Sequence, residues 1–167
     1  MTTTDEQNGL LQLLAIRDGT APPAPIQELL DFDLVEVTEG TATFRYRPHA
    51  RHLNPLGTVH GGVAMTLLDS AAGAAVHSTL AGGCGYTTLE TKVNLVRAVR
   101  PTTGPLLAEG RVVHRGGTVA TAESRLVAAD GTLHAHATST CLILLDSGRT
   151  QPPEAAVGSA RVGASKV

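Results

Sequence analysis

Val63-Ala64-Met65-Thr66-Leu67-Leu68-Asp69-Ser70-Ala71-Ala72-Gly73-Ala74-Ala75-Val76 is the stretch on which the fold turns. It is apolar or small on every side, the mark of a helix enclosed by the rest of the protein. Yet it holds one carboxylate, Asp69, nine positions after the His60 of the turn His60-Gly61-Gly62. An ionised group buried without partners either destabilises the fold by several kcal/mol or shifts its pKa. Asp69 therefore needs a compensating contact or a chemical task.

Outward from this helix, the spacing of apolar and turn residues predicts the other elements. The helix itself should begin at Gly61, after His60, and reach about Leu80, where Ala81-Gly82-Gly83-Cys84-Gly85 cannot continue it. Upstream, residues 5–17 read as a short helix and Ala21-Pro22-Pro23-Ala24-Pro25 as a stiff break. Ile26 to Leu30 reads as one or two helical turns. Phe32–Thr38 and Thr41–Arg47 alternate around Glu39-Gly40 as a hairpin, followed by a polar loop over 48–59. Downstream, four long strands are expected at about 86–99, 105–115, 118–129 and 132–145. Their short turns predict an antiparallel meander, with Asp130-Gly131 as a two-residue hairpin turn. The resulting domain plan is an N-terminal extension over 1–25, one domain over 26–146 and a Gly, Ser, Pro and Ala tail over 147–167 that reads as disordered.

The class is α+β: two strands, one greasy helix, then four strands. A helix without a polar side needs a sheet wrapped around it and a second molecule over whatever remains exposed. A chain of 167 residues is large enough for one real core. Aromatics make up only 2% of it, so Val, Leu and Ala must fill that core.

Thirteen basic and 15 acidic residues are mixed along the chain for a net charge of −2. That balance argues against nucleic acid or an anionic membrane as partner. The amino terminus lacks the basic start of a signal peptide, and no run reaches the ~20 apolar residues of a membrane span, so a cytoplasmic protein is expected. Cys84 and Cys141 lack metal or redox spacing and read as free structural thiols. His134 and His136 would share one strand face, but no third ligand is spaced to join them, so no metal and no cofactor is expected.

Asn54-Pro55-Leu56-Gly57-Thr58-Val59-His60-Gly61-Gly62, followed by Asp69, resembles the hotdog-fold acyl-CoA thioesterases of the PaaI-like group, relatives of one type of 4-hydroxybenzoyl-CoA thioesterase. The family pattern is Asn or Gln, five residues, His-Gly-Gly, and an acid nine positions after the His. The resemblance extends over about 26–145 and implies a hotdog fold, a long helix wrapped by about six antiparallel strands. It also implies hydrolysis of acyl-CoA to an acid and free CoA by a homodimer or dimer of dimers.

Thioester hydrolysis builds negative charge on the carbonyl oxygen, so pre-aimed N–H donors must face it and a base or nucleophile must face the carbon. A helix starting at Gly61 offers unpaired N–H groups and a favourable dipole. The resemblance points to the Gly61 N–H as donor, with Gly62 beside it, and to Asp69 as nucleophile or general base. It gives Asn54 the thioester or the water to position, His60 the thioester end to hold, and Thr88 the water or the Asp69 carboxylate to orient; a one-residue error in register would exchange Thr88 with Thr87. Seven residues from Gly62 to Asp69 advance roughly 10 Å along a helix. One acyl carbon cannot reach both, so two antiparallel helices from two subunits must share each site.

For CoA phosphates, Arg97 and Arg100 after the third strand, and Arg115 with Gly117 and Thr118 at the next hairpin, are the candidates. The family's hydroxybenzoyl enzymes carry Glu at position 69 and Thr at position 73, where this chain has Asp and Gly; a hydroxybenzoyl substrate does not follow. Two alternatives remain: a hotdog hydratase or dehydratase, whose catalytic Asp and His around Asn-Pro are replaced here by His52 and Gly57, and a non-catalytic acyl-CoA-binding module.

Overall fold

The computed structural model describes residues 8–144; the tail over 147–167 and the first residues of the N-terminal extension lie outside them. Among the described residues three α-helices, α1 (Gly9–Arg17), α2 (Pro25–Leu30) and α3 (Gly61–His77), accompany six strands. These are β1 (Phe32–Thr38), β2 (Thr41–Tyr46), β3 (Gly85–Leu95), β4 (Leu106–Arg115), β5 (Val119–Ala128) and β6 (Leu133–Leu144). All strand pairs are antiparallel, in the order β1-β2-β4-β5-β6-β3. The sheet curls around α3, whose Leu67, Leu68, Ala71, Ala72, Ala75 and Val76 are fully buried. This is the α+β hotdog arrangement.

Small residues replace large ones at the helix–sheet contact. A Cβ on Gly110 of β4 would come within 2.1 Å of the Ala71 carbonyl oxygen, so the helix backbone rests on bare strand backbone there. Alanines on the facing strands, Ala108, Ala120, Ala122 and Ala137, extend the same close approach. Phe32 and Phe44 pack edge to face at 5.5 Å. Helix α1 docks on the end of α3: Gly9 N–H donates to the Leu80 carbonyl at 3.0 Å, and Leu13 is buried in the core.

Four local expectations are corrected. Helix α3 ends at His77, not Leu80, because the Ser78 and Thr79 hydroxyls donate to the Ala75 and Val76 carbonyls, both at 2.7 Å, and close the helix there. The meander holds for β4-β5-β6 only, since β3 pairs with β6 at the sheet edge and residues 96–105 cross back to β4. Strand β3 stops at Leu95, four residues short of Val99, because the Val96 and Arg97 N–H groups both turn to the His134 carbonyl. The Asp130-Gly131 turn is a three-residue loop, with the Ala128 N–H donating to the Thr132 carbonyl at 2.9 Å and only Gly131, φ 83°, left-handed.

Candidate active site

The loop after β2 is built by Asn54. Its side-chain oxygen accepts the N–H groups of Leu56 (2.9 Å) and Thr58 (3.2 Å), and its amide donates to the Thr58 hydroxyl at 2.9 Å. This closed turn leads to His60, whose backbone is already extended and whose Nδ1 accepts the Gly62 N–H at 2.9 Å. Glycine at 62 lets the ring fold over, because a Cβ there would sit 3.0 Å from Nδ1. The Val63 N–H turns to the His60 carbonyl. Gly61 thus keeps an N–H with no partner among the described residues, at the positive end of a 17-residue helix.

Gly61 borders a cleft of about 270 Å³ lined also by Asn54, Thr58, Leu67, Leu95, Val99 and Leu126, with Tyr46 and His134 among its walls. The cleft is mainly apolar with few polar groups, the composition expected where an acyl group or pantetheine arm lodges. Leu95 stands close over the donor: a Cβ on Gly61 would lie 2.7 Å from its Cδ1. The Tyr46 hydroxyl is bonded to His52 Nδ1 at 2.9 Å, and burial pushes the phenol up to about 12. Burial, with help from Arg51, also lowers the His52 pKa, so this pair is a neutral wall at physiological pH.

Arg97, Ala98 and His134 continue from this cleft into a groove of about 600 Å³ that also holds Arg100, Thr103 and Asp130. Two of the predicted cations therefore sit together beside the cleft. Arg115, Gly117 and Thr118 do not join them within one chain; they are exposed on the β4–β5 hairpin, where Arg115 donates to the Gly116 carbonyl. His134 and His136 do not share a face, since an irregularity opposite Leu126 and Val127 buries His134 and leaves His136 exposed.

Asp69 is half-buried on α3 and takes a hydrogen bond from the Thr91 hydroxyl to Oδ1 at 3.1 Å. Thr91 is itself 3.0 Å from the Ser139 hydroxyl on β6. Thr91 escaped the sequence reading, which selected Thr88. Thr88 lies opposite Cys141, and its hydroxyl acts on that thiol, whose pKa burial raises. The cause is a bulge between Thr88 and Glu90, which reverses the alternation so that Thr88, Thr91 and Val93 all turn inward. The only sequence signal was the number of hydroxyl residues in Thr87-Thr88-Leu89-Glu90-Thr91, and a strict period of two misassigns them.

The family model of the thioesterase superfamily matches residues 56–135, a window that contains His60-Gly61-Gly62, Asp69 and Thr91. With the fold, this match makes the chain similar to the PaaI-like hotdog thioesterases. Among solved structures, this chain is similar to a phenylacetic acid degradation-related protein of Ralstonia eutropha JMP134, with 29% identity and a TM-score of 0.71 over 78% of this chain and 98% of that one. It is also similar to a Streptococcus mutans UA159 protein bound to acetyl CoA, with 28% identity and a TM-score of 0.63 over 69% of this chain and 90% of that one. A Halobacterium salinarum protein provisionally named an esterase is 40% identical over 82 residues, 49% of this chain. The match spans about half of that relative's length, 54%.

No described helix of the chain is long and apolar enough to cross a membrane. Among the described residues no cluster of three or more His, Cys, Asp or Glu could hold a metal.

Proposed function

We propose that the protein is a thioesterase that hydrolyses acyl-CoA in two sites shared across a homodimer, each combining Asp69 of one chain with the Gly61 N–H of the other. The observation that carries this is the pairing of an unpartnered helix N–H at a cleft with a half-buried carboxylate farther along the same helix. The eight residues from Gly61 to Asp69 correspond to roughly 12 Å of helix, too far for one acyl carbon. Antiparallel packing of two α3 helices removes the difficulty. The exposed edge strand β3 supports such a partner, because Leu89, Leu95 and Val96 are 58%, 53% and 56% exposed and Met65 on α3 is 45% exposed.

The Gly61 N–H stabilises the oxyanion, and Asp69, held by Thr91, attacks the acyl carbon or deprotonates water. Asn54 and His60 act chiefly by building the turn that aims Gly61. The Arg97–Arg100 groove receives the CoA phosphates, and the partner's hairpin at 115–118 is the second place for them. The acetyl-CoA-bound neighbour supports a CoA thioester as substrate. Acyl-CoA is an intracellular substrate, which makes this a cytoplasmic enzyme.

The test is thiol release from a panel of acyl-CoAs by wild type and Asp69→Asn. The variant should fold, dimerise and lose on the order of 10² or more in kcat. Near-normal turnover would remove Asp69 from the chemistry, and binding without turnover by wild type would leave a binding module instead.

A further inference from the structure

One helical turn beyond Asp69 stands a hydroxyl that the roles above do not use. Asp69 and Gly73 are four positions apart on α3, so they lie on one stripe about 6 Å apart along the axis. A Cβ on Gly73 would lie 2.3 Å from the Tyr86 hydroxyl oxygen and 2.8 Å from Cε2 and Cζ, so the end of this side chain rests on bare helix backbone. Tyr86 is the second residue of β3, two residues before Thr88 on the same inward side; farther along that strand Thr91 holds the carboxylate and meets Ser139 of β6. Thr91 occupies Oδ1 of Asp69. Neither Oδ2 nor the Tyr86 hydroxyl is hydrogen-bonded by a described residue.

We propose that Tyr86 is a positioning residue: its hydroxyl and the free Oδ2 of Asp69 together hold the water that attacks the thioester. This rests on Asp69 acting as the base of the site. Two O–H···O bonds of about 2.8 Å each through one water match the roughly 6 Å of helix axis between Asp69 and the Gly73 backbone on which the hydroxyl rests. Asp69 takes one proton from that water while the water oxygen bonds to the acyl carbon. The C–S bond then breaks and the proton passes from Asp69 to the leaving thiolate. Tyr86 only accepts the second O–H of the water and keeps its own proton. Burial, and after it the negative charge of Asp69, push its pKa up to about 12, so the phenol stays neutral at working pH.

Tyr86→Phe keeps the ring over Gly73 and removes only the oxygen. The expected result is a kcat lowered about tenfold or more, KM within twofold and an unchanged melting temperature. In a Tyr86→Ala background, Gly73→Ser puts a hydroxyl back into the vacated space from the helix, and kcat should rise above that of Tyr86→Ala alone. A Phe variant with kcat within twofold of wild type would overturn the proposal, as would a serine that restores nothing, since packing alone would then explain the tyrosine. Asp69→Asn, measured alongside, separates the two levels. If it is inactive while Tyr86→Phe is normal, only the role of Tyr86 is lost; if it is active, both fall.

Discussion

Gly61 can be tested by a substitution that its surroundings already accept. Proline is favoured at the first position of a helix, where its missing N–H would have had no intrahelical partner. It also requires an extended residue before it, and His60 is extended, with φ −61° and ψ 136°. Gly61→Pro therefore removes the proposed oxyanion donor while retaining the helix start, at the cost of a small displacement of the flexible Leu95 tip. A loss of 10²–10³ in kcat is expected, as for removal of one oxyanion donor, with the circular dichroism of wild type. An active Gly61→Pro enzyme would transfer the donor role elsewhere. Tyr46 and Tyr86 make a separate prediction, since burial raises both from 10.0 to about 12. The folded chain keeps these protons at pH values where the unfolded chain loses them, so stability is intact below pH 10 and falls as pH rises toward about 12. Urea unfolding at pH 9 and pH 11.5 should show the drop, and equal midpoints would show that neither phenol is desolvated.

At the scale of elements, the close contact of α3 with β4 depends on Gly110. Gly110→Ala would drive a methyl to 2.1 Å from the Ala71 carbonyl oxygen, and only a shift of helix or strand relieves it. A loss of about 1–3 kcal/mol is expected, seen as a lower urea midpoint at unchanged m-value; an unaltered midpoint would mean the helix stands off the strand. The elements themselves were legible because their signals are local: the apolar run of α3, Glu39-Gly40, and the glycines and prolines between strands. The place of β3 was not. Its pairing with β6 joins residues about 50 positions apart, such as Thr88 and Cys141, and no turn residue reports such a partner. The bulge beside Thr88 was hidden for the same reason, and with it Thr91. By contrast, Asn54, His60, Gly61 and Asp69 could be found because the loop and helix that hold them are continuous in sequence.

At the scale of the molecule, the proposed function divides each site between two chains. The Gly61 N–H and its cleft lie at the start of α3, and Asp69 with Thr91 lies beyond reach farther along it. The 11-residue β3 at the sheet edge, with its exposed leucines, presents a surface that a second copy can cover. Subunit mixing tests this most directly. Asp69→Asn and Gly61→Pro chains, each inactive alone, are unfolded together in equal amounts and refolded. A heterodimer of them contains one site with both groups intact and one with neither. Random pairing makes half the dimers mixed, so the mixture should recover about a quarter of wild-type activity. Activity no greater than the sum of the two separate variants would mean that each site is complete within a single chain, contradicting the shared site.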